Sequence, residues 1–222
     1  MPKNRLSAVF VDVCTQRDYL SPNGARLINK ADIITSNMKH VMALARWTKV
    51  PMLSCVDTRR PNEVRGISNP CCVLGTLGQR KTTYTLLPNH IVVQSDNCLC
   101  VPLDLLQHYQ QAILSKQHRD PFTNPKLDRL LTEIPTHRFL VFGVSLELSI
   151  KLLVLGLLLR HRRVTLIGDA CGYWNPNEAD MTLRQLAAKG CEIMSTRELI
   201  ETQLAKLKRR GHNGFRQRRW VA

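Results

Sequence analysis

The chain has 222 residues, 44% of them hydrophobic and 22% charged, a balance that suits one folded domain and excludes collagen-like, coiled-coil and disordered classes. Thirty-two Lys and Arg against 17 Asp and Glu leave a net charge of +15. Seven of the cations (Lys206, Lys208, Arg209, Arg210, Arg216, Arg218 and Arg219) follow Glu201, the last acidic residue.

The first apolar run, SAVFVDV (7–13), contains Asp12 and reads as a strand rather than a secretory leader. Residues 31–49 have helical periodicity and lead into a second strand, VPMLSCVD (50–57). Residues 58–101, rich in Pro, Gly, Asn and Cys, form the least regular stretch, suited to a lid or an oligomer contact. Helices are expected over 102–114 and 124–134, then a buried strand over 138–144. The apolar segment that follows, 146–160, is interrupted by Glu147 and Lys151. It falls short of the roughly 20 residues a bilayer helix needs, so no membrane partner is expected. A strand (163–170), a helix closing on Gly190 (177–190), a short strand (191–195) and a last helix (197–210) complete the pattern.

Apolar strands alternating with helices predict a three-layer α/β/α sandwich around a mainly parallel sheet. The expected division is a domain over 1–205 and a basic tail over 206–222. The tail is compatible with nucleic acid or another acidic partner. No nucleic-acid motif accompanies it, and a solvated helix end is the plainer reading. Eight scattered cysteines without a CxxC pair argue against a zinc ribbon and for reduced thiols in a cytoplasmic setting.

In such sheets chemistry gathers beyond the carboxyl ends of the strands. Asp12 closes the first run, and Lys116 precedes the 124–134 helix. Gly143-Val144-Ser145 lead into a turn carrying Ser149, and Asp169-Ala170 end a later strand. The order and spacing of VFVDV, Lys116 with Phe122 and LDRLL, FGVSLELS, LIGDA and CEIMSTREL resemble the isochorismatase-like hydrolases over roughly residues 6–200. That superfamily includes nicotinamidases and N-carbamoyl amidohydrolases, and its fold is the Rossmann-like sandwich.

The resemblance implies a triad of Asp12, Lys116 and residue 149. It also implies an oxyanion hole from the backbone of Ser145 and Ser149, a cis Val144–Ser145 peptide and a homo-oligomer. Arg59 and Arg80 are candidates to hold an anionic substrate, with Phe122 beside them. The metal-binding Asp-x-His of nicotinamidases is met here by Asp57-Thr58-Arg59, so neither metal nor cofactor is expected.

Residue 149 is Ser where most of that superfamily has a nucleophilic Cys. A thiol titrates near 8.5, whereas an alcohol is far less acidic and no histidine is placed to serve it. The thiol route is therefore closed, and two readings follow. One is a hydrolase of a small amide, ureide or vinyl ether with Asp12 as acid or base. The other is an inactive scaffold of the same fold serving binding or assembly. Cys14, two residues after Asp12, is a candidate surrogate thiol, although a buried core cysteine is the plainer reading.

Overall fold

The computed structural model describes residues 6–96 and 98–205. Seven strands run in chain order: β1 (Val9–Val13), β2 (Met52–Asp57), β3 (His90–Val93), β4 (Gln111–Lys116), β5 (Phe139–Val144), β6 (Val164–Gly172) and β7 (Glu192–Met194). The helices are α1 (Arg17–Leu20), α2 (Ala31–Thr48), α3 (Leu105–His108), α4 (Pro125–Glu133), α5 (Lys151–Leu159) and α6 (Pro176–Ala188). A π-type turn, Leu146–Ile150, precedes α5, and a final helix is described from 196 to 205.

Every strand pairs in parallel, in the order β3-β4-β2-β1-β5-β6-β7. β1 and β5 lie at the centre and are buried along their whole length, as uninterrupted Val and Phe runs require of a sheet covered on both faces. From β1 the chain steps towards β2 through α2. From β5 it steps the opposite way through α5 and α6. Right-handed crossovers taken in opposite directions place α2 on one face and α5 and α6 on the other. The sandwich expected from the sequence is the fold observed. The chain reverses its direction of winding at β1, which sets a crevice at the carboxyl ends of the strands beside it. No described helix is long and apolar enough to cross a membrane.

Two sequence expectations need correction. Residues 102–114 are not one helix: α3 ends at His108, and Gln111–Lys116 form β4. Leu103, Leu105 and Leu106 imitate a helical face for only one turn. Ala112, Ile113 and Leu114 are then buried in the sheet, where continuous burial rather than periodicity selects the strand. The irregular stretch 58–101 also holds β3, whose alternating exposure is that of an edge strand. The basic tail lies outside the described residues.

Gly143 shows how tightly the centre is closed. Its φ is +127°, and a Cβ there would collide with the backbone of Val13. We expect Gly143→Ala to destabilise the chain by about 2 kcal/mol or more, seen as a lower urea midpoint at an unchanged slope. An unaltered midpoint would show that this contact can relax.

Candidate active site

β2 and β4 are neighbours in register, with Asp57 opposite Lys116 at their carboxyl ends. Side chains paired across parallel strands share a face, so this acid and this base meet. Lys116 Nζ donates to Asp57 Oδ1, to Ser149 Oγ at 3.1 Å and to the His118 carbonyl at 3.1 Å. All three ammonium hydrogens are thereby placed. The other carboxylate oxygen of Asp57 accepts from Tyr19 Oη at 2.7 Å. The result is a continuous chain Tyr19–Asp57–Lys116–Ser149. Gln16 fixes it from beneath, donating from Nε2 to the Asp57 carbonyl at 2.8 Å and accepting the Asp57 N–H at 2.7 Å.

The electrostatics follow from burial. Lys116 is 2% exposed and Ser149 5%. Desolvation acts to lower the lysine pKa, but Cys14, Asp57 and Cys55 outweigh it and hold Lys116 above its ordinary value. Burial pushes the Cys14 thiol well up, so that thiol keeps its proton at neutral pH, and the ion pair of Lys116 is with Asp57. Burial and the neighbouring Asp57 likewise raise Tyr19, which keeps its hydroxyl proton and remains a donor. The Cys72 thiol, with help from Tyr19, draws Cys71 down to about 6. The Cys71 sulfur lies 3.7 Å from Tyr19 Oη, at the outer end of the chain.

Two cavities open around the chain leaving β4, and Lys116 lines the first. One of about 230 Å³ is lined by Lys116, Arg60, Ser95, Asp96 and His118 among others. A wider one, about 770 Å³, is lined by Arg59, Glu63, His118, Arg119 and Asp120 among others. The acids there are engaged: Glu63 accepts the Arg60 N–H at 2.8 Å, Asp96 pairs with Lys126 at 2.8 Å and Asp120 caps the 121–123 turn. In the wider cavity Arg59 and Arg119 face the same number of acids, Glu63 and Asp120, whose bonds go to backbone N–H groups.

The structure brings Lys116 and Ser149 together but not Asp12. Asp12 is in register with Ser54, three residues before Asp57 on β2. An odd separation on a strand means opposite faces. Asp12 is fully buried on the far face, where Oδ2 accepts from Lys81 Nζ, from Ser54 Oγ at 3.0 Å and from Thr15 Oγ1 at 3.1 Å. Asp57, not Asp12, is the carboxylate that meets Lys116. The signal for it was present, since VPMLSCVD also ends in a carboxylate. Lys81 had no signal in the sequence.

Ser145 and Ser149 bracket one turn after a cis Val144–Ser145 peptide. The Ser145 carbonyl accepts the Ile150 N–H at 3.0 Å. Arg59 lines the wider cavity, but Arg80 lines neither and sits in the 74–80 turn, its carbonyl accepting the Arg17 N–H. Phe122 lines neither of these two cavities. It packs against Gly156 and beneath the Arg160 guanidinium, 3.9 Å from the ring centroid. Cys14, at φ 50°, lies just past β1 near Lys116 as a neutral buried thiol.

The residues do not fit a metal. Both Asp57 oxygens are taken by Lys116 and Tyr19. Among the described residues no group of three or more His, Cys, Asp or Glu is placed to hold one.

Residues 8–198 match the isochorismatase domain family. A search of curated proteins finds no match. Among solved structures, the chain is similar to a pyrazinamidase of Pyrococcus horikoshii in complex with zinc. The TM-score is 0.68 and the identity 20%, over 85% of this chain and 99% of that one. An isochorismatase-like hydrolase from Alkaliphilus metalliredigens gives 0.68 and 14%, over 89% and 99%. The MAR1 ribonuclease from Caenorhabditis elegans gives 0.59 and 12%, over 90% and 82%. At these identities the structures speak for the fold alone.

The buried Lys81–Asp12 pair carries a stability expectation. Lys81→Met strands the Asp12 carboxylate in the interior and should cost about 3–5 kcal/mol, read as a large drop in the denaturant midpoint. A loss below about 1 kcal/mol would show that water reaches Asp12.

Proposed function

We propose that this chain, which belongs to the isochorismatase family, is a hydrolase of a small molecule bearing an anionic group. Its working residues on this reading are Asp57, Lys116 and Ser149. The observation that carries it is the unbroken hydrogen-bond chain from Asp57 through Lys116 to Ser149. Arg59 and Arg119 at the mouth supply positive charge for a carboxylate or phosphate on the substrate.

As Ser149 Oγ attacks a carbonyl carbon, its proton passes to Lys116 while Lys116 gives one to Asp57 Oδ1. Lys116 ends the step still an ammonium, and Asp57 ends it as a carboxylic acid. The lysine charge faces the oxyanion as it forms. Asp57 then returns the proton along the same route to the leaving group, and water releases the acyl group from Ser149. Turnover is expected to be slow, because an alcohol is a far weaker acid than the family's thiol.

A second reading is favoured by the closed donor set of Lys116 and the near-complete burial of Ser149. It is an inactive family member that keeps the pocket for binding. Screening amides, ureides, vinyl ethers and a short RNA against the whole chain separates the two readings. On the catalytic reading, Asp57→Asn and Lys116→Met each remove turnover and Ser149→Ala lowers kcat by about a thousandfold or more. Asp12→Asn, by contrast, acts on stability alone. Turnover that survives Ser149→Ala would sink the serine mechanism, and no turnover on any substrate class would leave the binding reading standing.

A further inference from the structure

Six of the eight cysteines are buried, and two are exposed: Cys98 and Cys100, separated only by Leu99. The backbone N–H of Cys100 points at the Cys98 sulfur, 3.2 Å away, so the Leu99 turn folds the two cysteines towards each other. The segment is exposed but anchored. Lys126 on α4 donates to the Gln94 carbonyl at 2.9 Å and to Asp96 Oδ2 at 2.8 Å. Asp96 Oδ1 accepts the Cys98 N–H at 3.0 Å, and Arg129 Nη1 donates to the Leu99 carbonyl at 3.0 Å. Ser95 Oγ donates to the Ser115 carbonyl at 3.0 Å, tying the same stretch to the strand that ends in Lys116.

Two thiols one residue apart are thus held in solvent on a segment tied to the fold at Gln94, Ser95, Asp96 and Leu99, with the Cys100 N–H against the Cys98 sulfur. We propose that Cys98 and Cys100 form a thiol–disulfide exchange site, with Cys98 as the attacking sulfur and Cys100 as the resolving one, reacting with low-molecular-weight disulfides. The neighbouring charges set the order. Cys100's thiol and N–H lower the Cys98 pKa while raising that of Cys100, and Lys126 adds to the first effect against the opposing Asp96. The sulfur that ionises first is the one to attack.

In the first step the Cys98 thiolate attacks one sulfur of the small disulfide. That S–S bond breaks, a mixed disulfide forms at Cys98 and one small thiol leaves with the proton. Cys100, deprotonated by solvent, then attacks Cys98, expelling the second small thiol and closing the Cys98–Cys100 bond. Two electrons and two protons pass from the protein thiols to the small disulfide. The site lies beside Asp96 and Ser95 on the rim of the Lys116 cavity, yet it needs neither turnover nor substrate there.

The test is incubation of the full chain with oxidised glutathione under native conditions, followed by blocking of free thiols and peptide mass mapping. The expected product lacks two hydrogens, carries no glutathione and maps to the peptide holding both residues. Cys100→Ser should stop at a glutathione adduct on Cys98, and Cys98→Ser should lose the reaction. Both side chains are exposed, so these substitutions leave the core intact. A wild-type product that remains a mixed disulfide would overturn the proposal. So would a disulfide mapping to Cys71 and Cys72, or no product under conditions that oxidise the unfolded chain.

Discussion

Lys116 carries a charge into a place that water barely reaches, and the organisation of the pocket follows from keeping it there. An unpaired ammonium at that depth would shed its proton or unfold its surroundings. Three acceptors prevent this: the Asp57 carboxylate, the Ser149 hydroxyl and the His118 carbonyl. Each comes from a different piece of the fold. Asp57 arrives through the β2–β4 register, Ser149 through the turn after β5, and His118 through the chain leaving β4. The ion pair therefore acts as a lock between sheet and turn as well as a source of chemistry.

The same sheet buries a second pair, Asp12 with Lys81, on its other face. Asp12 and Asp57 both close apolar strands, and from the sequence alone they are equivalent. What separates them is parity. Asp12 faces with Ser54, while Asp57 stands an odd number of residues further along β2 and faces with Lys116. Parity needs a register, and register is a tertiary fact that no local pattern carries. Lys116 and Ser149 were legible through the family resemblance, carried by Lys116 with Phe122 and LDRLL and by FGVSLELS. The layered fold was legible independently, from apolar runs and helical periodicity.

Other misreadings have local causes. Gln111–Lys116 look helical because the leucines just before them are spaced for one helical turn, yet burial on both faces makes them a strand. Phe122 falls at the position the resemblance assigns to the pocket, but Gly156 leaves a space on α5 that the ring fills, and Arg160 closes over it. The aromatic ring is consumed by packing between the 121–123 turn and α5.

Ser149 is the residue whose meaning changes most. Beside a thiol, a buried ammonium stabilises the thiolate and draws the proton away. Beside an alcohol, the same ammonium can only donate to the oxygen, because the hydroxyl keeps its proton through the neutral range. Lys116 held above its ordinary pKa is a poor base and an effective fixed charge. Any proton leaving Ser149 must therefore be matched by one entering Asp57, and the Asp57–Lys116 pair must neutralise as the oxyanion forms. That coupling makes the carboxylate, not the lysine, the group whose proton affinity limits a serine mechanism. Tyr19 donates to Asp57 Oδ2, so both oxygens of that carboxylate are engaged. The arrangement holds a negative charge firmly beside a positive one, with the Lys116 donors and the Asp57 oxygens already partnered, so a serine mechanism must loosen these contacts as it proceeds.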